Sequence, residues 1–106
     1  MEEISAKDLA ARLKVGEDVQ IIDVREPHEY ETARLEGSKL IPLAQVVSRM
    51  SELDESREAV VHCKMGGRSA KAIEALKAAG YKGPLTNLRG GITAWSTDVD
   101  PSVPRY

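Results

Sequence analysis

Apolar positions along the chain switch repeatedly between helical and strand spacing. Ala6, Leu9, Ala10 and Leu13 fall on one helical face behind Ser5, an N-cap residue with Asp8 three positions on as a partial capping box, and Gly16 ends that helix. Val19, Ile21, Ile22 and Val24 form a compact apolar run through Asp23-Val24-Arg25, which suits a strand buried on both faces. Pro27 suits the first turn of a short helix through Tyr30. Lys39-Leu40-Ile41-Pro42 predicts a short strand stopped by its proline. Leu43, Val46, Val47 and Met50, at i, i+3, i+4 and i+7, predict an amphipathic helix. After the polar connector Asp54 to Glu58, Ala59-Val60-Val61-His62-Cys63 predicts a strand and Lys64 to Gly67 a tight loop. Ser69 to Ala79 predicts a helix with Ala70, Ile73, Leu76 and Ala79 on one face and Lys71, Glu74 and Lys77 on another, stopped at Gly80. Leu85 to Leu88 predicts a short strand, and Gly90-Gly91 turns into a last helix carrying Ala94 and Trp95. Prolines at 101 and 104 forbid regular helix, so an extended tail is expected from about residue 98.

Strands alternating with helices predict an α/β fold of three layers, α/β/α, around a mostly parallel central sheet of about five strands. In such sheets ligands bind beyond the C-terminal ends of the strands. Cys63 ends one strand, Asp23 and Arg25 end another, and the Arg89-Gly90-Gly91 turn follows a third, so the sheet would bring them to one rim.

The 106 residues leave room for one domain, residues 1–106, and no second core. Apolar residues make up 42% and charged residues 30%, as in a soluble globular protein. Fifteen Lys and Arg against seventeen Asp and Glu give a net charge of −2, with no global pull toward nucleic acid or an anionic membrane. No apolar run approaches the ~18 residues of a membrane span, and the N-terminus does not read as a signal peptide. One cysteine excludes an internal disulfide, and with two histidines it disfavours a cysteine-rich metal site. A reducing, cytoplasmic setting is the default expectation.

The candidate chemistry lies in Val60-Val61-His62-Cys63-Lys64-Met65-Gly66-Gly67-Arg68-Ser69. A strand delivers Cys63 to the sheet edge, and a helix begins at about Arg68. Gly66 and Gly67, lacking Cβ, let the backbone between them curl and visit positive φ. That curl can turn several N–H groups onto the sulfur, and the helix N-terminus adds free amides and partial positive charge. The result is an anion cradle built mainly from backbone, to which Lys64 and Arg68 add side-chain charge. At a pKa of ~8.5 only about 3% of a thiol is ionised at pH 7, and a fall of ~2 units would ionise about three-quarters of it. Cysteines in electropositive, partly open sites are reactive. A buried cysteine serving only as a small apolar residue would leave the two glycines, the arginine and the helix start unexplained.

Cys63-x-x-Gly66-x-Arg68-Ser69 after a Val-Val strand resembles the active-site loop of the rhodanese domain. Asp23-Val24-Arg25-Glu26-Pro27-His28-Glu29-Tyr30, Gly37-Ser38-Lys39-Leu40-Ile41-Pro42-Leu43 and Leu88-Arg89-Gly90-Gly91-Ile92-Thr93-Ala94-Trp95 resemble three further motifs of that family, in order. Ala33-Arg34-Leu35 departs from the Gly-His-Ile often found there. The resemblance implies a sulfurtransferase. A small anionic donor such as thiosulfate would give its outer sulfur to Cys63 as a persulfide, and a nucleophilic acceptor would remove it. It implies no metal and no organic cofactor. Lys64, Met65, Gly66, Gly67, Arg68 and Ser69 would form the persulfide and substrate loop, with Lys64 favouring anionic donors. The tail, Val99-Asp100-Pro101-Ser102-Val103-Pro104-Arg105-Tyr106, resembles the end of rhodanese domains fused behind adenylate-forming enzymes of the MoeB/ThiF type. That likeness implies a ubiquitin-like sulfur-carrier protein or a cysteine desulfurase as partner, and either an excised domain or a free-standing relative.

The other polar residues carry plainer expectations. His62 alternates to the face opposite Cys63 and reads as scaffold; His28 reads as exposed; Trp95 reads as a core anchor. Arg25 and Glu29 are expected to pair locally, and Asp23 is a candidate for orienting Arg68 or the loop. Two rival functions remain open. Cysteine phosphatases and arsenate reductases share the His-Cys, the backbone cradle and an Arg-Ser or Arg-Thr, but place one more residue between Cys and Arg to wrap a tetrahedral oxyanion. Non-catalytic rhodanese modules used for binding commonly lack the cysteine that this chain retains.

Overall fold

The computed structural model of the protein describes residues 1–106. Five strands form one sheet: β1 (Glu3–Ile4), β2 (Gln20–Asp23), β3 (Lys39–Leu40), β4 (Ala59–His62) and β5 (Leu85–Leu88). Their order across the sheet is β1-β5-β4-β2-β3, and every neighbouring pair is parallel. Four α-helices connect them: α1 (Ala6–Lys14), α2 (Pro27–Thr32), α3 (Gly67–Ala78) and α4 (Gly91–Asp98). The expected three-layer α/β fold is present. β1 was not anticipated, because two residues ahead of a helix are too few for strand periodicity to show.

Alternation along the strands divides the core in two. Ile22 and Val61 face one way, with Cys63, and meet Ala72, Ile73 and Leu76 of α3. Ile21 and Val60 face the other way and meet Ala6 and Leu9 of α1 and Ile92 of α4. Each layer buries its apolar stripe on the sheet, which is what makes short parallel strands stable. The α1 cap forms as expected, with the Asp8 amide donating to Ser5 Oγ at 3.1 Å.

Two helix expectations need correction. The residues from Leu43 to Met50 form no α-helix; the segment is turns flanked by two single 3₁₀ turns, Leu43–Gln45 and Met50–Glu52. The adjacent β-branched Val46 and Val47 favour helix weakly, and only Val46 is fully buried, while Val47 stands exposed. Leu43, Val46 and Met50 still reach the same core, through tighter i→i+3 turns. On α3 the buried stripe is Ser69, Ala72, Ile73 and Leu76; Ala79 lies past the helix and is exposed. The stripe is shifted because the helix starts at Gly67 and Ser69 points into the sheet edge.

After α4 the chain bends at Pro101–Ser102 and folds back over the molecule. Val103 buries in the α1/α4 core, and Ser96 Oγ donates to the Val103 carbonyl at 2.6 Å. No helix is long and apolar enough to cross a membrane.

Candidate active site

Cys63 follows the last residue of β4, at the C-terminal edge of the sheet. Gly66 takes φ +115°, open to glycine and strained for a side chain, and serves as the N-cap of α3. The left-handed turn brings the Gly66 amide to 3.1 Å from Cys63 Sγ, and it donates to the sulfur. Gly67 is the first residue of α3 and has no positive φ, so the curl expected of both glycines is made by Gly66 alone.

Ser69 Oγ lies 3.5 Å from the sulfur, 2.5 Å from Asn87 Oδ1 and 3.2 Å from the Gly66 carbonyl. Asn87 Nδ2 donates to that same carbonyl at 3.2 Å, so β5 buttresses the cradle from below. Burial pushes the Cys63 thiol up. Hydrogen bonds from the Ser69 hydroxyl and from the amides of Ser69, Gly66 and Met65 pull it down, and the balance lies below the ordinary thiol value. The site is less open than expected: Cys63 is only 2% exposed, while Met65, two residues on in the loop, is exposed.

The loop is also held from outside. Gly90 and Gly91 both take positive φ at the start of α4. The Ile92 amide then donates to the Cys63 carbonyl at 3.0 Å, and the Thr93 amide donates to the Lys64 carbonyl at 3.1 Å. A Cβ on Gly91 would lie 2.5 Å from each of those carbonyl oxygens. The free amides of one helix thereby hold the first two carbonyls of the loop, and the loop's own amides are left for the sulfur.

The charged residues pair differently from expectation. Arg68 forks onto Glu29, at 2.6 and 2.9 Å, and not onto Asp23. Asp23 is fully buried and binds Arg25, which donates to it through Nε and Nη2 and also donates to the Glu29 and Ala33 carbonyls. Asp23 and Arg25 form a buried pair behind the loop and do not touch the sulfur cradle. The expected side-chain pair of Arg25 with Glu29 is absent, because the Glu29 carboxylate faces Arg68. The Arg68 guanidinium holds that carboxyl far below the usual carboxylate range, against the effect of burial. His62 is fully buried with Nδ1 3.4 Å from the Cys63 carbonyl and Nε2 3.9 Å from Asp23 Oδ2. Burial pushes the His62 imidazole below its ordinary value, so it is neutral scaffold at pH 7. Lys64 lies over the ring of Tyr106, 4.6 Å from its centroid. No three His, Cys, Asp or Glu side chains converge in a metal-binding cluster.

Gly91 lies at the rim where its turn was expected, while Glu29, Asn87 and Tyr106 join the site without having been singled out for it. Asn87 left a trace, since an Asn inside an apolar strand runs against strand preference and asks for a buried partner. Tyr106 left none, because its contacts lie 77 and 81 residues away in sequence.

A parallel α/β sheet presenting a cysteine in a glycine-turned amide loop defines the rhodanese-like class. The model of the rhodanese-like domain matches residues 5–98, and the chain belongs to that family. A sulfurtransferase of Allochromatium vinosum is 38% identical over 103 residues, which span 97% of this chain and 95% of that protein. The probable adenylyltransferase/sulfurtransferase MoeZ of Mycobacterium tuberculosis is 36% identical over 105 residues, but this chain spans only 26% of its length. Among solved structures, thiosulfate sulfurtransferase from Pseudomonas aeruginosa superposes with a TM-score of 0.84 at 29% identity, covering 92% of this chain and 19% of that one.

Proposed function

We propose that this protein takes sulfane sulfur from a small anionic donor of the thiosulfate class onto Cys63 and passes it to a nucleophilic acceptor. The Cys63 thiolate attacks the outer sulfur of the donor. A new S–S bond forms, the donor's S–S bond breaks, and sulfite leaves with the bonding electron pair. A nucleophile such as cyanide then attacks the terminal sulfur of the persulfide. The C–S bond of thiocyanate forms, the persulfide bond breaks, and the thiolate returns. Neither step requires a net oxidant or reductant. The loop amides that hold a thiolate are placed to hold the persulfide's terminal charge. Membership of a family with sulfurtransferase relatives supports the reading, and so does the name of the putative sulfur carrier protein YrkF of Bacillus subtilis, 36% identical over 94 residues. A ubiquitin-like carrier or a cysteine desulfurase is the proposed biological partner, in a cytoplasmic setting.

The observation that carries the proposal is the Gly66 amide 3.1 Å from Sγ, in a loop whose hydrogen bonds favour the thiolate. The cradle's four intervening residues, one fewer than a phosphatase loop, suit a single sulfur atom better than a tetrahedral oxyanion. Intact mass after thiosulfate should show one added sulfur, removed by cyanide with release of thiocyanate, and neither should occur in Cys63→Ser. Alkylation of Cys63 should have its pH midpoint below that of a free thiol. No adduct with thiosulfate, together with hydrolysis of an aryl phosphate, would replace this reading with the phosphatase one.

A further inference from the structure

The tail returns to the site through one side chain. Tyr106 donates its phenol proton to Glu29 Oε2 at 2.7 Å and accepts from Arg25 Nη1 at 2.8 Å. Glu29 in turn grips Arg68. The phenol ring carries the Lys64 ammonium on its face, 4.6 Å from the centroid. No carboxylate pairs with Lys64, so the ring is what holds this cation. The Lys64 carbonyl is already fixed by the Thr93 amide, and the side chain is what remains to be ordered. A four-carbon stem free in solvent spreads its charge over many rotamers, and an aromatic face confines it.

We propose that Tyr106 is a positioning residue that sets the protein's selectivity for anionic reagents at Cys63. Its ring holds the Lys64 ammonium, and its hydroxyl bonds the Glu29 carboxylate that grips Arg68. Lys64, the cation of the loop that no carboxylate neutralises, thus depends on one residue of the tail. The inference rests on the sulfur-transfer reading only for the identity of the donor; the preference for an anion is a property of the rim itself.

The test compares alkylation of Cys63 by iodoacetate and iodoacetamide at low ionic strength. Both reagents lose iodide to the same thiolate and differ by one negative charge. Their rate ratio therefore cancels any change in thiolate fraction. Tyr106→Phe, which keeps the ring, should hold the ratio within about twofold of wild type. Tyr106→Leu should lower it about three- to fivefold, the scale of a half-exposed cation–π contact. In a Lys64→Met background, adding Tyr106→Leu should change it no more than Tyr106→Phe does. The KM for thiosulfate should rise in parallel, with kcat changed less than about twofold. Equal effects of Leu and Phe, a Leu effect undiminished in Lys64→Met, or a wild type that takes neither reagent or shows no anion preference would each overturn the proposal. A wild type with the expected ratios and no turnover of thiosulfate would leave it standing and remove the sulfur-transfer reading instead.

Discussion

At the scale of single residues, the site separates groups that touch the sulfur from groups that hold those groups. The Gly66 amide and the Ser69 hydroxyl face Sγ. Glu29 touches no reacting atom, yet its carboxylate takes both arms of Arg68, the Tyr106 hydroxyl and the Glu26 amide. The carboxyl is held below its unfolded value, first by Arg68. A depressed carboxylate contributes stability that is present in full above the unfolded pKa of ~4.3 and is lost as pH falls through the folded one. Chemical denaturation of the wild type from pH 7 to pH 3 should therefore show stability falling below about pH 5. Glu29→Gln should make that fall shallower and lower the stability plateau at pH 7. An unchanged acid slope in Glu29→Gln would show that other carboxylates carry it.

Among elements, the junction of α4 with the Cys63 loop is the tightest constraint. The α4 amides of Ile92 and Thr93 reach the loop carbonyls only because residue 91 has no side chain. Gly91→Ala would place a Cβ against two backbone oxygens at φ +57°, where neither side can yield cheaply. It should cost about 2–4 kcal/mol, combining left-handed strain with overpacking. Gly16→Ala has the same kind of φ, +82°, but open space around it, and should cost about 1 kcal/mol. Urea titration of the two variants separates strain from contact, and equal losses would refute the packing argument. The same scale shows why local pattern misleads. Leu43 to Met50 carries a helical spacing, but its apolar residues meet the core from short 3₁₀ turns instead.

Across the whole molecule, the tail closes what the sheet leaves open. Val103 joins the core beneath α1 and α4, Ser96 is satisfied by the Val103 carbonyl, and Tyr106 ends against Arg25 and Glu29. Ending the chain at Pro101 would remove the buried valine, worth ~1.5–2 kcal/mol, and strand a buried hydroxyl for ~1 kcal/mol more. Thermal and urea denaturation should show a loss of at least about 2.5–3 kcal/mol, since the two hydrogen bonds of the Tyr106 hydroxyl go as well. A stability within experimental error of wild type would mean that the tail merely lies on the surface.

The chain by itself determined the layers and the centre of the chemistry. Parallel strands buried on both faces must be apolar runs, and a cysteine followed by glycines and a helix start announces an amide cradle within ten consecutive residues. Those signals are local, so periodicity and motif spacing carry them. Tertiary structure decided everything that depends on partners far apart in sequence. It kept Asp23 away from Arg68, aimed Glu29 at Arg68, brought Asn87 beneath Ser69, and laid Tyr106 under Lys64. A charged or polar side chain accepts many partners of the right chemistry. Which one it meets is settled only when the sheet order and the returning tail bring particular atoms within hydrogen-bonding reach.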